Sequence, residues 1–142
     1  MKEITKRLTE GIKAHGACNA FKGGTLEELV DELFSSQGVE FVMKKGYPGL
    51  YEFREIQRFV DLKKYGVYVD SGKIELTEKR RVFLVGNTDA QLNYSDLARS
   101  KVCLIYGAKA FINASGYSVV RVEKGFDSSI DSKAIEKAVI LW

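Results

Sequence analysis

His15 and Cys18 are the first residues whose types and spacing admit chemistry, because an imidazole and a thiol three apart on one helical turn can share a metal or act as base and nucleophile. Two ligands leave a zinc site half built, and His15 is the only histidine while Cys103 is the only other thiol. Gly16 between the pair also marks a helix end, so His15 reads as a helix-end cation and Cys18 as a small buried residue. Asp70, Asp89, Asp96, Asp127 and Asp131 come next, since carboxylate pairs on β-scaffolds hydrolyse glycosides. Each lies among turn-forming residues, where Asp is ordinary, and spacing alone pairs none of them. The chain has no phosphate-binding loop, dinucleotide fingerprint, nucleophile elbow or metalloprotease motif, and Gly86-Asn87-Thr88-Asp89 lacks the oxygen-donor series of a calcium loop. The expectation is of a protein with no catalytic residue, cofactor or metal. Aromatic contacts stand in their place: Tyr94, Tyr106 and Tyr117 fall at turns or unit edges, and Leu141 and Trp142 close an apolar run that is either a last strand docked into the core, the favoured reading, or a surface that pairs with another copy, giving five candidate interaction residues.

Positioning these residues falls to a chain of 142 residues, a length suited to one domain, with 45% apolar and 29% charged residues and a single Pro. Basic and acidic residues nearly balance, 11 against 10 up to Tyr65 and 11 against 9 beyond it. Lys44/Lys45, Lys63/Lys64 and Arg80/Arg81 are short, scattered pairs and read as solvated surface, so no nucleic-acid partner is expected. No apolar run is long enough for a signal peptide or a membrane span, which predicts a cytoplasmic protein without a membrane partner and with both thiols reduced.

Residues 1–65 read as helical. Ile4, Leu8 and Ile12 recur every fourth position ahead of Gly16, and Thr25 with Glu28 has capping-box spacing before Leu26, Leu29, Val30 and Leu33. Val39, Phe41, Val42 and Met43 follow Ser36 and stop at Gly46, read as a short helix. After the turn Tyr47-Pro48-Gly49, Leu50, Phe53, Ile56, Phe59 and Val60 return to helical spacing.

Residues 66–142 read as β-structure with an internal repeat. Segments beginning at Val82, Val102 and Val120 align without gaps: Leu84, Leu104 or Val122 two residues on, then Leu92, Ile112 or Ile130, each followed by Asn93, Asn113 or Asp131 as a turning residue. A weaker copy begins at Val67 with Val69, Ile74 and Leu76. Unit starts 20 and then 18 residues apart make each unit strand, bend, strand, bend, which fits one coil of a narrow β-solenoid and is favoured over an antiparallel meander turning at Gly86-Asn87 and Tyr106-Gly107. The fold class is thus α+β in a single domain, with the helices expected to cap an otherwise open solenoid end.

Gly16-Ala17-Cys18, Thr25-Leu-Glu-Glu-Leu, Gln37-Gly-Val-Glu-Phe, Tyr47-Pro48 and Tyr65-Gly-Val-Tyr-Val-Asp together resemble a group of uncharacterised proteins of gut bacteria of the Bacteroides kind and of their mobile elements and phages. The β-half is similar in texture to bactofilin-like short-coil solenoids, a resemblance that implies polymerisation, although the repeat here is less regular. The function expected is that of a non-enzymatic interaction or assembly protein with a protein partner or a second copy of itself. The alternative is a small hydrolase or carbohydrate-active domain using carboxylates at strand bends, and a small-molecule ligand is left open.

Overall fold

Thr25 and Ser35 open two helices by the same device, a hydroxyl that accepts an otherwise orphaned amide. Thr25 Oγ1 takes the amide of Glu28 and Ser35 Oγ that of Gly38, so α2 spans Leu26–Leu33 and α3 spans Ser36–Lys45, with left-handed Gly46 closing α3. The computed structural model describes residues 2–16, 24–125 and 127–142. Before these helices comes α1 (Lys2–Ala14) and after them α4 (Leu50–Ile56) and a 3-10 turn over Leu62–Tyr65. The apolar stripes read from spacing are the buried ones: Ile4, Leu8 and Ile12 on α1, Leu26, Leu29, Val30 and Leu33 on α2, Phe53 and Ile56 on α4. Helix α1 packs on α2 and α4, and α2 on α3. Arg7 clasps Glu55 with two hydrogen bonds of 2.7 and 3.2 Å, joining α1 to α4.

The chain divides into two compact units, Met1–Tyr65 and Gly66–Trp142. Among the described residues the second contains nine strands: β1 (Val67–Val69), β2 (Gly72–Thr77), β3 (Arg81–Val85), β4 (Thr88–Tyr94), β5 (Arg99–Ile105), β6 (Lys109–Ala114), β7 (Val119–Lys124), β8 (Ser129–Ala134) and β9 (Val139–Leu141). Odd strands form one sheet in the order β1-β3-β5-β7-β9 and even strands a second in the order β2-β4-β6-β8, every pair parallel. Consecutive strands therefore lie in different sheets and none forms a hairpin. This is a β-solenoid of about four coils, not a meander.

Its core is built from the inward rows of both sheets, with Tyr68, Leu84 and Leu104 from one and Leu92, Ala110 and Ile112 from the other. Two strands of the second sheet alternate strictly: β4 and β6 each bury every other residue. Corners are turned by left-handed residues, among them Gly86, Tyr106, Gly107 and Gly116.

Register corrects the repeat in two places. Val102 pairs with Val122, not Val120, and Ile112 pairs with Ser132, while Ile130 pairs with Ala110, so the coils from β3 onward repeat every 20 residues and the 18-residue step disappears. A slip of two leaves every side chain on its original face, so alternation cannot distinguish the two alignments. At the first coil Tyr68, rather than Val67 or Val69, pairs with Leu84 in the inward row; three consecutive apolar residues hid the phase. Asn93 and Asn113 lie inside strands as a cross-strand pair instead of at bends.

Candidate functional site

Two surfaces of the solenoid carry the functional possibilities, and both follow from strand register. The first begins at the short corner Glu78–Arg80. Glu78, itself left-handed at φ 56°, accepts the amides of Ser95 and Asp96 and the Ser95 hydroxyl from the next corner. Arg80 reaches across the same gap to Glu78 at 3.1 Å, Asp96 at 3.3 Å and Ser100 at 3.3 Å. Burial pushes the Glu78 carboxyl up, but the hydrogen bonds from Ser95, Arg80 and Asp96 outweigh it and hold the group below the usual carboxylate range.

A group with a lowered folded pKa stabilises above its unfolded value, here about 4.5, and loses that contribution as pH falls through the folded value. Glu78→Gln is therefore expected to lower stability by about 0.5–1 kcal/mol at pH 7, since the corner is solvent-screened. The gap in melting temperature between wild type and variant should close below the folded pKa, and a gap that stays constant from pH 7 to pH 2.5 would contradict the clamp.

Beyond this corner the outward row of the first sheet places Arg81 against Lys101 and Lys101 against Arg121, with Leu141 next in line. Arg99 and Val119 form the neighbouring row. Together with Arg80 and Ser100 these side chains line an open groove of about 490 Å³. Lys101 is paired with Glu123 at 3.6 Å and Arg80 with two carboxylates. Arg99 and Arg121 have no ion pair among the described residues. The Arg80/Arg81 pair, scattered in sequence, thus belongs to a five-cation wall, whereas Lys44/Lys45 and Lys63/Lys64 lie in the helical unit.

The second surface is the last coil. Among the described residues, strands β8 and β9 each have a neighbouring strand on one side only. Ile130, Ala138 and Ile140 pack against the core but are only partly covered, and Val139, Leu141 and Trp142 are 44%, 48% and 67% exposed.

Among the five residues chosen from sequence, Tyr94 is displaced from the list of contacts: it is buried in the solenoid core and its hydroxyl donates to the Lys79 carbonyl at 2.8 Å. Its position two residues after inward Leu92 is the signal that places it inside. Tyr106 is a half-covered, left-handed corner residue, and Tyr117 is exposed at the turn before β7. Leu141 joins the groove, and Trp142 is exposed beside it.

The chemical candidates are not brought together. His15 stacks on Tyr47 with ring centroids 4.5 Å apart and Nδ1 2.7 Å from the Gly11 carbonyl, while Cys18 lies outside the described residues. Burial pushes the Cys103 thiol up to about 12, which keeps it protonated at neutral pH. Asp70 is engaged by the Asn87 amide at 2.8 Å and Asp96 by Arg80, and Asp89 and Asp131 face solvent in different rows of the second sheet. Among the described residues no three His, Cys, Asp or Glu side chains are grouped as a metal would require, and no helix is long and apolar enough to cross a membrane.

Fold and surfaces define an α+β protein with a helical unit and a two-sheet parallel β-solenoid. No family model matches the chain, and neither a curated protein nor a solved structure matches it.

Proposed function

We propose that this protein is a non-enzymatic assembly protein in which the solenoid is a rigid platform and the open last coil takes a second copy of the chain. The observation that carries this reading is the pairing of unsatisfied edges with apolar surface. Strands β8 and β9 offer free backbone groups on one side, and Ile130, Ala138 and Ile140 extend the core row to that same edge. A two-fold contact would set each edge against its counterpart in antiparallel fashion, continuing both sheets and covering the last apolar row. A resemblance to polymerising short-coil solenoids supports the same reading, as does the exposure of Val139, Leu141 and Trp142.

Native mass spectrometry of the untagged protein tests it. A closed oligomer without added mass is expected near 10 µM, and Ile140→Lys, which puts a charge into the edge row, should shift at least nine tenths of it to monomer while the circular dichroism spectrum is retained. A wild-type monomer at 100 µM would end the assembly reading, and a monomer carrying a retained small molecule would favour a ligand-binding protein instead.

A further inference from the structure

We propose that the cationic groove on the outer face of the first sheet binds a single strand of nucleic acid through its phosphates. Arg81, Lys101 and Arg121 occupy one register position on three successive strands, so their Cα atoms step along the solenoid axis at the inter-strand spacing of about 4.8 Å. Arg99, one row over, widens the cationic strip, and Arg80 closes its end. Four of these five cations are arginines, whose planar forks match phosphate oxygens two at a time. Nearby acids leave Arg99 and Arg121 without an ion pair among the described residues.

A ladder of this kind fits a polymer with charge repeated along one edge. An extended acidic peptide turns successive carboxylates to opposite faces, whereas a nucleic-acid strand carries a phosphate at every residue of its backbone. The groove, at about 490 Å³, is of a size that small ligands fill. Tyr117, two residues ahead of Val119 and 62% exposed, provides a ring on which an unpaired base can stack, the usual companion of a basic groove in single-strand binding. Val119 and Leu141 complete the wall with apolar surface.

The test is fluorescence anisotropy of the full chain with a labelled twelve-residue oligothymidine. Three phosphate contacts predict a slope of about −2 in log affinity against log salt, hence roughly twentyfold weaker binding at 200 mM than at 50 mM KCl. Arg99→Glu with Arg121→Glu should weaken binding at least tenfold at 50 mM, and Tyr117→Ala threefold or more with the salt slope unchanged. Lys133→Glu, on the other sheet, should leave binding as it is. If the double glutamate variant fails to fold by circular dichroism, Arg99→Gln with Arg121→Gln serves in its place with a threefold or greater loss. Salt-insensitive binding, no binding at 50 mM, or wild-type affinity in the folded double variant would overturn the proposal. Equal or tighter binding of a labelled polyglutamate or of anionic vesicles would overturn it too, by assigning the groove to an acidic protein or a lipid surface.

Discussion

Leu92→Ala is expected to destabilise the solenoid by about 3 kcal/mol, within the range of roughly 2–5 kcal/mol seen when a fully buried leucine is truncated. Leu92 has no exposed surface and sits between Leu76 and Ile112 in the inward row of the second sheet, so its removal takes contacts from the coils on both sides. In a stack where each coil touches only its neighbours, a cavity in the second coil cannot be relieved by distant repacking. For a unit of this size, 3 kcal/mol corresponds to a fall in melting temperature of roughly 12–24 °C. Gln91→Ala, on the same strand but facing solvent, should stay within about 0.5 kcal/mol of wild type. Thermal melts followed at the β-sheet signal decide the matter, and a Leu92→Ala protein that melts with the Gln91→Ala protein would mean that Leu92 does not lie between coils.

Gly38→Ala is expected to be as damaging in the helical unit, at about 3 kcal/mol or more, through overlap instead of a cavity. A Cβ at Gly38 would collide with the backbone carbonyls of Glu32 and Leu33, where α2 ends against α3. Backbone cannot swing away, so one helix must shift from the other and the Ser35 cap on the Gly38 amide is lost with it. Gly11 makes the contrast, because the atoms nearest a Cβ there are all in the Tyr47 side chain. Rotation of that ring off His15 costs little, and alanine inside a helix gains about 1 kcal/mol over glycine, so Gly11→Ala should be close to neutral. Urea titrations of both variants at the helical signal test the pair; equal midpoints would show that the contact between α2 and α3 is looser than the geometry indicates.

The sequence carried more of the local structure than of the surface. Thr25 with Glu28 marks the start of α2 because the capping geometry is local, and Gly46 marks the end of α3 for the same reason. Parity along β4 and β6 is equally local, so the core rows were readable. Only the coil period is a long-range quantity, and a two-residue slip leaves it silent. Aligning the third unit at Val120 put Val119 in line with Arg81 and Lys101, which concealed the ladder. With Val122 as the partner of Val102, the residue in line becomes Arg121, and three cations 20 apart stand immediately before Val82, Val102 and Val122. The hydroxyl that caps α3 belongs to Ser35, one residue before the helix begins at Ser36. Tyr94 shares the parity of Leu92 along β4, and that parity places it in the core.

A constant coil of 20 residues also makes the molecule divisible. From β3 onward each coil meets its neighbours through the same register, so a whole coil can be gained or lost by duplication or deletion of a segment of that length without altering the pairing on either side. Copying a coil like the one that begins at Lys101 would lengthen the rod by about 4.8 Å and add one rung to its charged face in the same event. Reach and charge are then inherited together, as a count of coils, and change in whole steps.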